Sequence, residues 1–228
     1  MEYTFQFGPL LNYLQQFVSG LWLTLGLSFV GIFGGIALGI VCATVSTSSF
    51  VLPRLAVRIY VETMRNTPLL VQIFVIFFGL PNIGIRLSPL TSVFIALVLN
   101  NGGYVAEIVR GGIQATHRSQ VEAAESLGLT YFQTLRFVIL PPALEKVFTP
   151  VVSQCVLLML STSLVSAIGV EDLTGAAMIA SSETFRTMEV YLIIAVVYVL
   201  LNFIFRAVLN MAGLMIFTRS RRRLLGRV

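Results

Sequence analysis

Between Tyr3 and Pro53 the chain carries no charged side chain, and none falls between Val151 and Val170. A helix needs about 20 mostly apolar residues to cross a bilayer, so each tract is long enough to span one. Only 11% of the 228 residues are charged and 57% are hydrophobic, where a soluble domain would carry roughly 25% charge. The apolar runs are continuous instead of alternating, which excludes a transmembrane β-barrel. The fold class is all-α integral membrane protein, expected as a single domain over residues 1–228. The opening "MEYTFQFGPL" has an acid and no basic residue, so the first apolar segment is expected to stay as a helix.

Five spans are expected. The first covers about Gly20 to Ala43, where Gly31, Gly35, Gly39 and Ala43 recur every fourth residue and form a face that permits close helix approach. The second is composite. "LLVQIFVIFFGL" reaches only about 18 Å at 1.5 Å per residue, so it must draw on "LAVRIYVETMRNT" before it. Thr67-Pro68 predicts a break between the two halves. Arg58, Glu62 and Arg65 share one face of the first half and can pair. Ser88-Pro89 opens the third span, which runs to about Val109. The fourth covers about Lys146 to Ile168. The fifth runs from Met188 to Phe217, about 45 Å, and should project beyond the membrane.

Basic residues set the orientation. A cytoplasmic C-terminus places Arg54, Arg58, Arg65, Arg110, Arg118, Arg136, Lys146 and the tail "RSRRRLLGR" inside. Only Arg86 and Arg186 then lie outside, beside Glu2, Glu171, Asp172, Glu183 and Glu189. The expectation is N-terminus out, C-terminus in. The tail reads as an anchor at anionic membrane lipid, so the net charge of +5 requires no nucleic acid.

"SQVEAAESLGLTYFQTLRFVILPP" is therefore a polar segment on the cytoplasmic side between the third and fourth spans. Ser119 with Glu122, and Thr130 with Gln133, have capping-box spacing. Gly128 suits the left-handed residue that ends the first helix, and Leu140-Pro141-Pro142 is expected to stop the second. Two short capped helices exceed what a connecting loop requires, and they fit a docking surface for a cytoplasmic partner.

The same residues carry a resemblance. Glu122, Ala123, Ala124, Gly128, Leu140 and Pro141 fill the EAA signature of ABC importer permeases, with Val138 where isoleucine is usual. "YVETMRNTPLLVQIFVIFFGLP", "NNGGYVAEIVRGGIQ", "TSLVSAIGVEDLTGAA" and "ETFRTMEVYLIIAVVYVLLN" are similar to the type I polar amino acid permeases, a group with histidine, arginine and glutamine importers. His117, Pro142, Glu145 and Leu160-Ser161 depart from that group's usual residues. The resemblance implies a multi-pass subunit of the bacterial cytoplasmic (inner) membrane whose coupling helix seats in an ATP-binding cassette ATPase. It implies further partners: a second permease subunit, the same or homologous, an extracytoplasmic solute-binding protein, and a polar amino acid as substrate.

No Gly-x-x-x-x-Gly-Lys-Ser/Thr phosphate loop is present. ATP and magnesium are accordingly expected on the partner ATPase, with no cofactor in this chain and no enzymatic activity of its own. His117 is the sole histidine and has no companion for a metal site. Cys42 and Cys155 read as small buried hydrophobes. Polar residues at membrane depth are the candidates for a substrate path: Asn100 and Asn101 on the third span, Gln154, Thr162 and Ser166 sharing a face of the fourth, and Asn202, Arg206 and Asn210 on the fifth. Interhelical hydrogen bonding competes for each set. Adjacent Asn100 and Asn101 diverge by about 100°, so at most one is expected to touch substrate. Arg206 can snorkel inward or pair with Glu107, and Glu171-Asp172 is a candidate contact for the binding protein. An ion-coupled secondary transporter of a small polar solute is the alternative, though no internal repeat supports it.

Overall fold

The computed structural model describes residues 4–48, 50–114 and 118–216, and every regular element among them is helical. His117 and the basic tail lie outside the described residues. A 3₁₀ turn, Gly8–Tyr13, leads into α1 (Leu14–Ser46), which starts and ends beyond the expected Gly20–Ala43. The second span is α2 (Val51–Asn66) followed by α3 (Leu69–Phe74), which continues as a π segment, Val75–Gly79, and a 3₁₀ turn, Leu80–Ile83. The two halves bend by 112° at the expected break. Pro68 supplies no N–H to continue α2, and Thr67 is extended at φ −118° and ψ 139°.

The third span, α4 (Pro89–Gln114), begins under Ser88, whose Oγ accepts the Thr91 N–H at 3.1 Å. α5 (Arg118–Ser126) and α6 (Tyr131–Thr134) follow. The double proline does not stop the chain after α6. A π segment, Leu135–Ile139, runs directly into α7 (Leu140–Ser161). Pro141 and Pro142 remove two helical donors and crowd the carbonyls four residues back, and the wider π turn makes room there without ending the helix. The fourth span thus begins well before Lys146, and the expected second short helix is its first turn.

From Thr162 to Ile168 the helix tightens to 3₁₀ and closes on Gly169 at φ 79°. A short helix unseen in the sequence, α8 (Leu173–Thr184), then precedes α9 (Thr187–Ile216). Among the described residues four helices are long and apolar enough to cross a membrane, and the bent pair brings the number to five if it counts as one broken span.

The core lies where α1, α3, α4 and α7 meet. Leu27, Ile73, Val93, Leu97, Leu158 and Val165 are at most 1% exposed there, and Cys42 and Cys155 are buried free thiols. In lipid such packing relies on van der Waals fit more than on water exclusion, so close approach matters. The glycine face of α1 supplies it. A β-carbon on Gly35 would stand 2.5 Å from Asn101 Nδ2, and one on Gly39 would stand 2.6 Å from Val105 Cβ. The four-residue steps on α1 meet four-residue steps on α4: Gly31 on Leu97, Gly35 on Asn101, Gly39 on Val105. By contrast only 6% of α9's apolar stretch is buried, against 56% for α4, so most of that stretch faces away from the other helices.

This seam predicts that Gly35→Ala lowers stability by about 1–3 kcal/mol, the usual cost of overpacking. Gly26→Ala, with nothing within 4 Å of its new carbon, should be neutral. Thermal unfolding of both variants in detergent checks the contrast, and equal melting temperatures would refute the seam.

Candidate functional site

Two sites emerge, one at membrane depth and one at the end of the bundle that carries α5. The first is a consequence of the broken second span. Where α2 stops, its last carbonyls lack helical N–H partners. Side chains from α3 and α4 supply them. Gln72 Nε2 donates to Met64 O at 3.0 Å, to Thr67 O at 3.1 Å and to Thr67 Oγ1 at 2.8 Å. Asn100 Nδ2 donates to Gln72 Oε1 at 3.1 Å and to Met64 O at 3.5 Å. Tyr104 adds its hydroxyl to Arg65 O at 3.4 Å.

Beside this network lies a cavity of about 310 Å³. Its polar lining is Thr67, Asn100, Tyr104, Gln154 and Ser161, and no charged side chain contributes to it. Of the candidates from the sequence, Asn100 and Gln154 therefore meet. Asn101 turns the other way: its Nδ2 donates to Gly31 O on α1 at 3.1 Å, and its Oδ1 is buried with no hydrogen-bond partner among the described residues. Thr162 is fully buried with its hydroxyl on Met159 O at 2.7 Å, and Ser166 bonds Ser163 O at 2.8 Å. The expected shared face of Gln154, Thr162 and Ser166 does not form. The 3₁₀ stretch has three residues per turn, so a spacing of four no longer stacks there. Gln72 went unrecognised in the sequence, although it is the lone polar residue within "LLVQIFVIFF".

Charged expectations shift as well. Glu62 pairs with Arg58 at 2.9 Å, while Arg65 turns to Glu107 at 3.6 Å. Arg110 grips both oxygens of Glu107, at 2.5 and 2.9 Å. Glu107 is thus occupied from its own helix and from α2, and Arg206 on α9, which is exposed, does not pair with it. Asp172 is no docking residue either. It is fully buried and caps α8, its Oδ1 accepting the Gly175 N–H at 2.9 Å. Burial pushes its carboxyl above the usual carboxylate range, against hydrogen bonds that pull the other way. Glu171 remains exposed.

The second site is the turn after α5. α5 begins at Arg118, so Ser119 sits within its first turn instead of ahead of it. Gly128 takes φ +74°. The Leu129 N–H reaches back to Ala124 O at 3.1 Å and the Gly128 N–H to Glu125 O at 2.9 Å, the paired bonds of a Schellman ending. The next helix opens with a reciprocal box, Thr130 N–H to Gln133 Oε1 at 2.8 Å and Gln133 N–H to Thr130 Oγ1 at 3.4 Å. Ala124 is buried beneath the turn, while Glu122, Ala123 and Gly128 face outward. Leu127, unremarked in the sequence, is 81% exposed at the apex. Leu140 is half-buried and Pro141 exposed at the start of α7.

The bundle thus pairs a polar break in its second span with a capped turn at one end. Residues 35–212 match the family described as binding-protein-dependent transport system inner membrane component, and the chain belongs to it. It is similar to the Bacillus subtilis (strain 168) protein named "Probable amino-acid ABC transporter permease protein YckA", with 34% identity over 86% of this chain and 87% of that one. The glutamine transport system permease protein GlnP of Escherichia coli (strain K12) is 31% identical over 85% of this chain and 89% of its own length. A crystal structure of an amino acid ABC transporter with histidines superposes with a TM-score of 0.86 at 37% identity, covering 92% of this chain and 98% of that one.

The turn predicts a backbone-specific effect. A β-carbon on Gly128 meets nothing of this chain within 4 Å, so any penalty to the chain's own folding comes from its positive φ. Gly128→Val should strain the turn by about 1–2 kcal/mol or more and abolish transport while the protein still inserts. Gly128→Asn, which tolerates the left-handed region, should keep most activity. Equal uptake by wild type and the valine variant would dismiss the turn's role.

Proposed function

We propose that this chain is the membrane subunit through which an ATP-driven importer moves a polar amino acid into the cell, with its N-terminus outside and its C-terminus in the cytoplasm. The observation that carries the substrate class is the cavity at the Thr67–Pro68 break. Its volume sits at the low end of the range of roughly 300–1,000 Å³ for small-molecule pockets. Amide and hydroxyl groups line it without a fixed charge, which suits a zwitterion with a neutral polar side chain. Two relatives named for amino acids and glutamine support that class.

The rest of the machinery lies in other subunits. Residues 1–228 act as one permease domain, and a second permease chain completes the passage. ATP and magnesium belong to an ATPase that grips the turn formed by Glu122, Ala123, Ala124 and Gly128, with Leu140 and Pro141 fixing where the turn joins the fourth span. A solute-binding protein delivers the amino acid from outside. Closure of the ATPases on ATP moves the turn, and α7, continuous with it through the π segment, carries that motion to Gln154 at the cavity.

Uptake and ATP turnover in the reconstituted complex separate these roles. Asn100→Leu and Gln154→Leu should each lower uptake per ATP about five- to 150-fold, the effect of leaving a buried polar partner unpaired by about 1–3 kcal/mol. Thr162→Val, which removes only a bond within its own helix, should change little. Unchanged uptake per ATP in the first two variants would remove the cavity from the path.

The energy source is tested separately. The purified chain alone should neither hydrolyse ATP nor accumulate solute in liposomes. Accumulation driven by a proton or sodium gradient would replace the importer with a secondary transporter.

A further inference from the structure

A second cavity, of about 450 Å³, opens between the end of α1, α2 and the C-terminal half of α4. Four guanidinium groups line it, from Arg54, Arg58, Arg65 and Arg110, against the two carboxylates of Glu62 and Glu107. Glu107 is shared by Arg65 and Arg110. Glu62 holds Arg58 in an exposed pair, a kind that contributes little and exchanges readily. Arg54 makes no ion pair among the described residues. The cavity thus keeps two positive charges that no carboxylate among the described residues neutralises, and such a concentration of like charge attracts an anion.

The surface of α2 indicates which anion. At about 100° per residue, Arg54, Arg58 and Arg65 form one stripe, and Val51, Leu52, Leu55 and Ile59 form the stripe beside it. These four apolar side chains are 53–82% exposed. A soluble anion would gain nothing from that second stripe. A lipid gains from both, because phosphate accepts paired hydrogen bonds from arginine forks while acyl chains lie along the apolar side. We propose that this cavity binds the headgroup of an anionic phospholipid, with Arg54 and Arg58 on the phosphate and the acyl chains against Val51, Leu52, Leu55 and Ile59. The Arg65–Glu107–Arg110 group closes the inner wall of the cavity and ties α2 to α4, so an occupied site braces the half of the second span that ends at the break.

The full-length chain in a neutral detergent, offered equal phosphatidylglycerol and phosphatidylcholine of identical acyl chains, tests this by native mass spectrometry. Wild type should retain phosphatidylglycerol in preference. The double variant Arg54→Gln/Arg58→Gln should bind it about 25-fold more weakly, at about fivefold per basic residue facing anionic lipid. Glu62→Gln, which adds to the uncompensated charge, should retain more than wild type. Leu52→Ser/Leu55→Ser should retain less, and glycerol phosphate should not displace the lipid. Equal retention of the two lipids by wild type, or unchanged retention in the arginine and Glu62 variants, would overturn the site. Displacement by glycerol phosphate, or indifference to the leucine changes, would overturn the lipid in favour of a soluble anion.

Discussion

Backbone polar groups inside a bilayer must find partners within the protein, because no water is there to satisfy them. The most consequential departure from regular helix in this chain is at Thr67-Pro68. Gln72 and Asn100 exist in the core to receive the carbonyls that α2 releases. The cost of breaking a membrane helix is offset by a polar network, and that network leaves an uncharged polar cavity beside it. Structure and candidate function therefore share one origin.

The glycine seam makes this possible. Close approach of α1 to α4 at Gly31, Gly35 and Gly39 fixes the rotation of α4. That rotation sends Asn101 into the seam and Asn100 into the network. Two adjacent asparagines with the same chemistry are assigned different work by about 100° of helix rotation. The same α4 carries Glu107, which Arg65 and Arg110 hold near the opposite end of the packing surface. The orientation of one helix sets the cavity, the seam and the ionic tie to α2.

Local signals were legible in the sequence, and nonlocal ones were not. Ser88, the Thr130–Gln133 pair and Gly128 behave as their spacing implies, because caps and left-handed turns involve residues within one turn of each other. Four long spans could be read from continuous apolarity, while the second had to be assembled across the Thr67-Pro68 break. Pro141-Pro142 does not end the helix because the π segment at Leu135–Ile139 widens the turn ahead of it and accommodates both rings. Helix α8 escaped notice because "LTGAAMIASSET" lies between two long spans and its cap, Asp172, reads as a surface acid until burial is known. Gln154 could be named but not its neighbours, since the 3₁₀ tightening after Ser161 breaks the periodicity that grouped it with Thr162 and Ser166. Gln72 was visible as an isolated polar residue, yet its role required the position of Met64 O across the bend.

The proposed point where an ATPase acts on the membrane bundle is the turn after α5. Leu127 stands at its apex, largely exposed, and both native cysteines are buried, so Leu127→Cys provides a unique accessible thiol among the described residues. Cross-linking that thiol in native membranes and identifying the captured subunit is the most direct test. The account predicts a single cross-linked ATP-binding cassette subunit, with a yield that changes when ATP is added. Free reaction of the thiol with a water-soluble maleimide in the intact complex, with no ATPase captured in any nucleotide state, would contradict it.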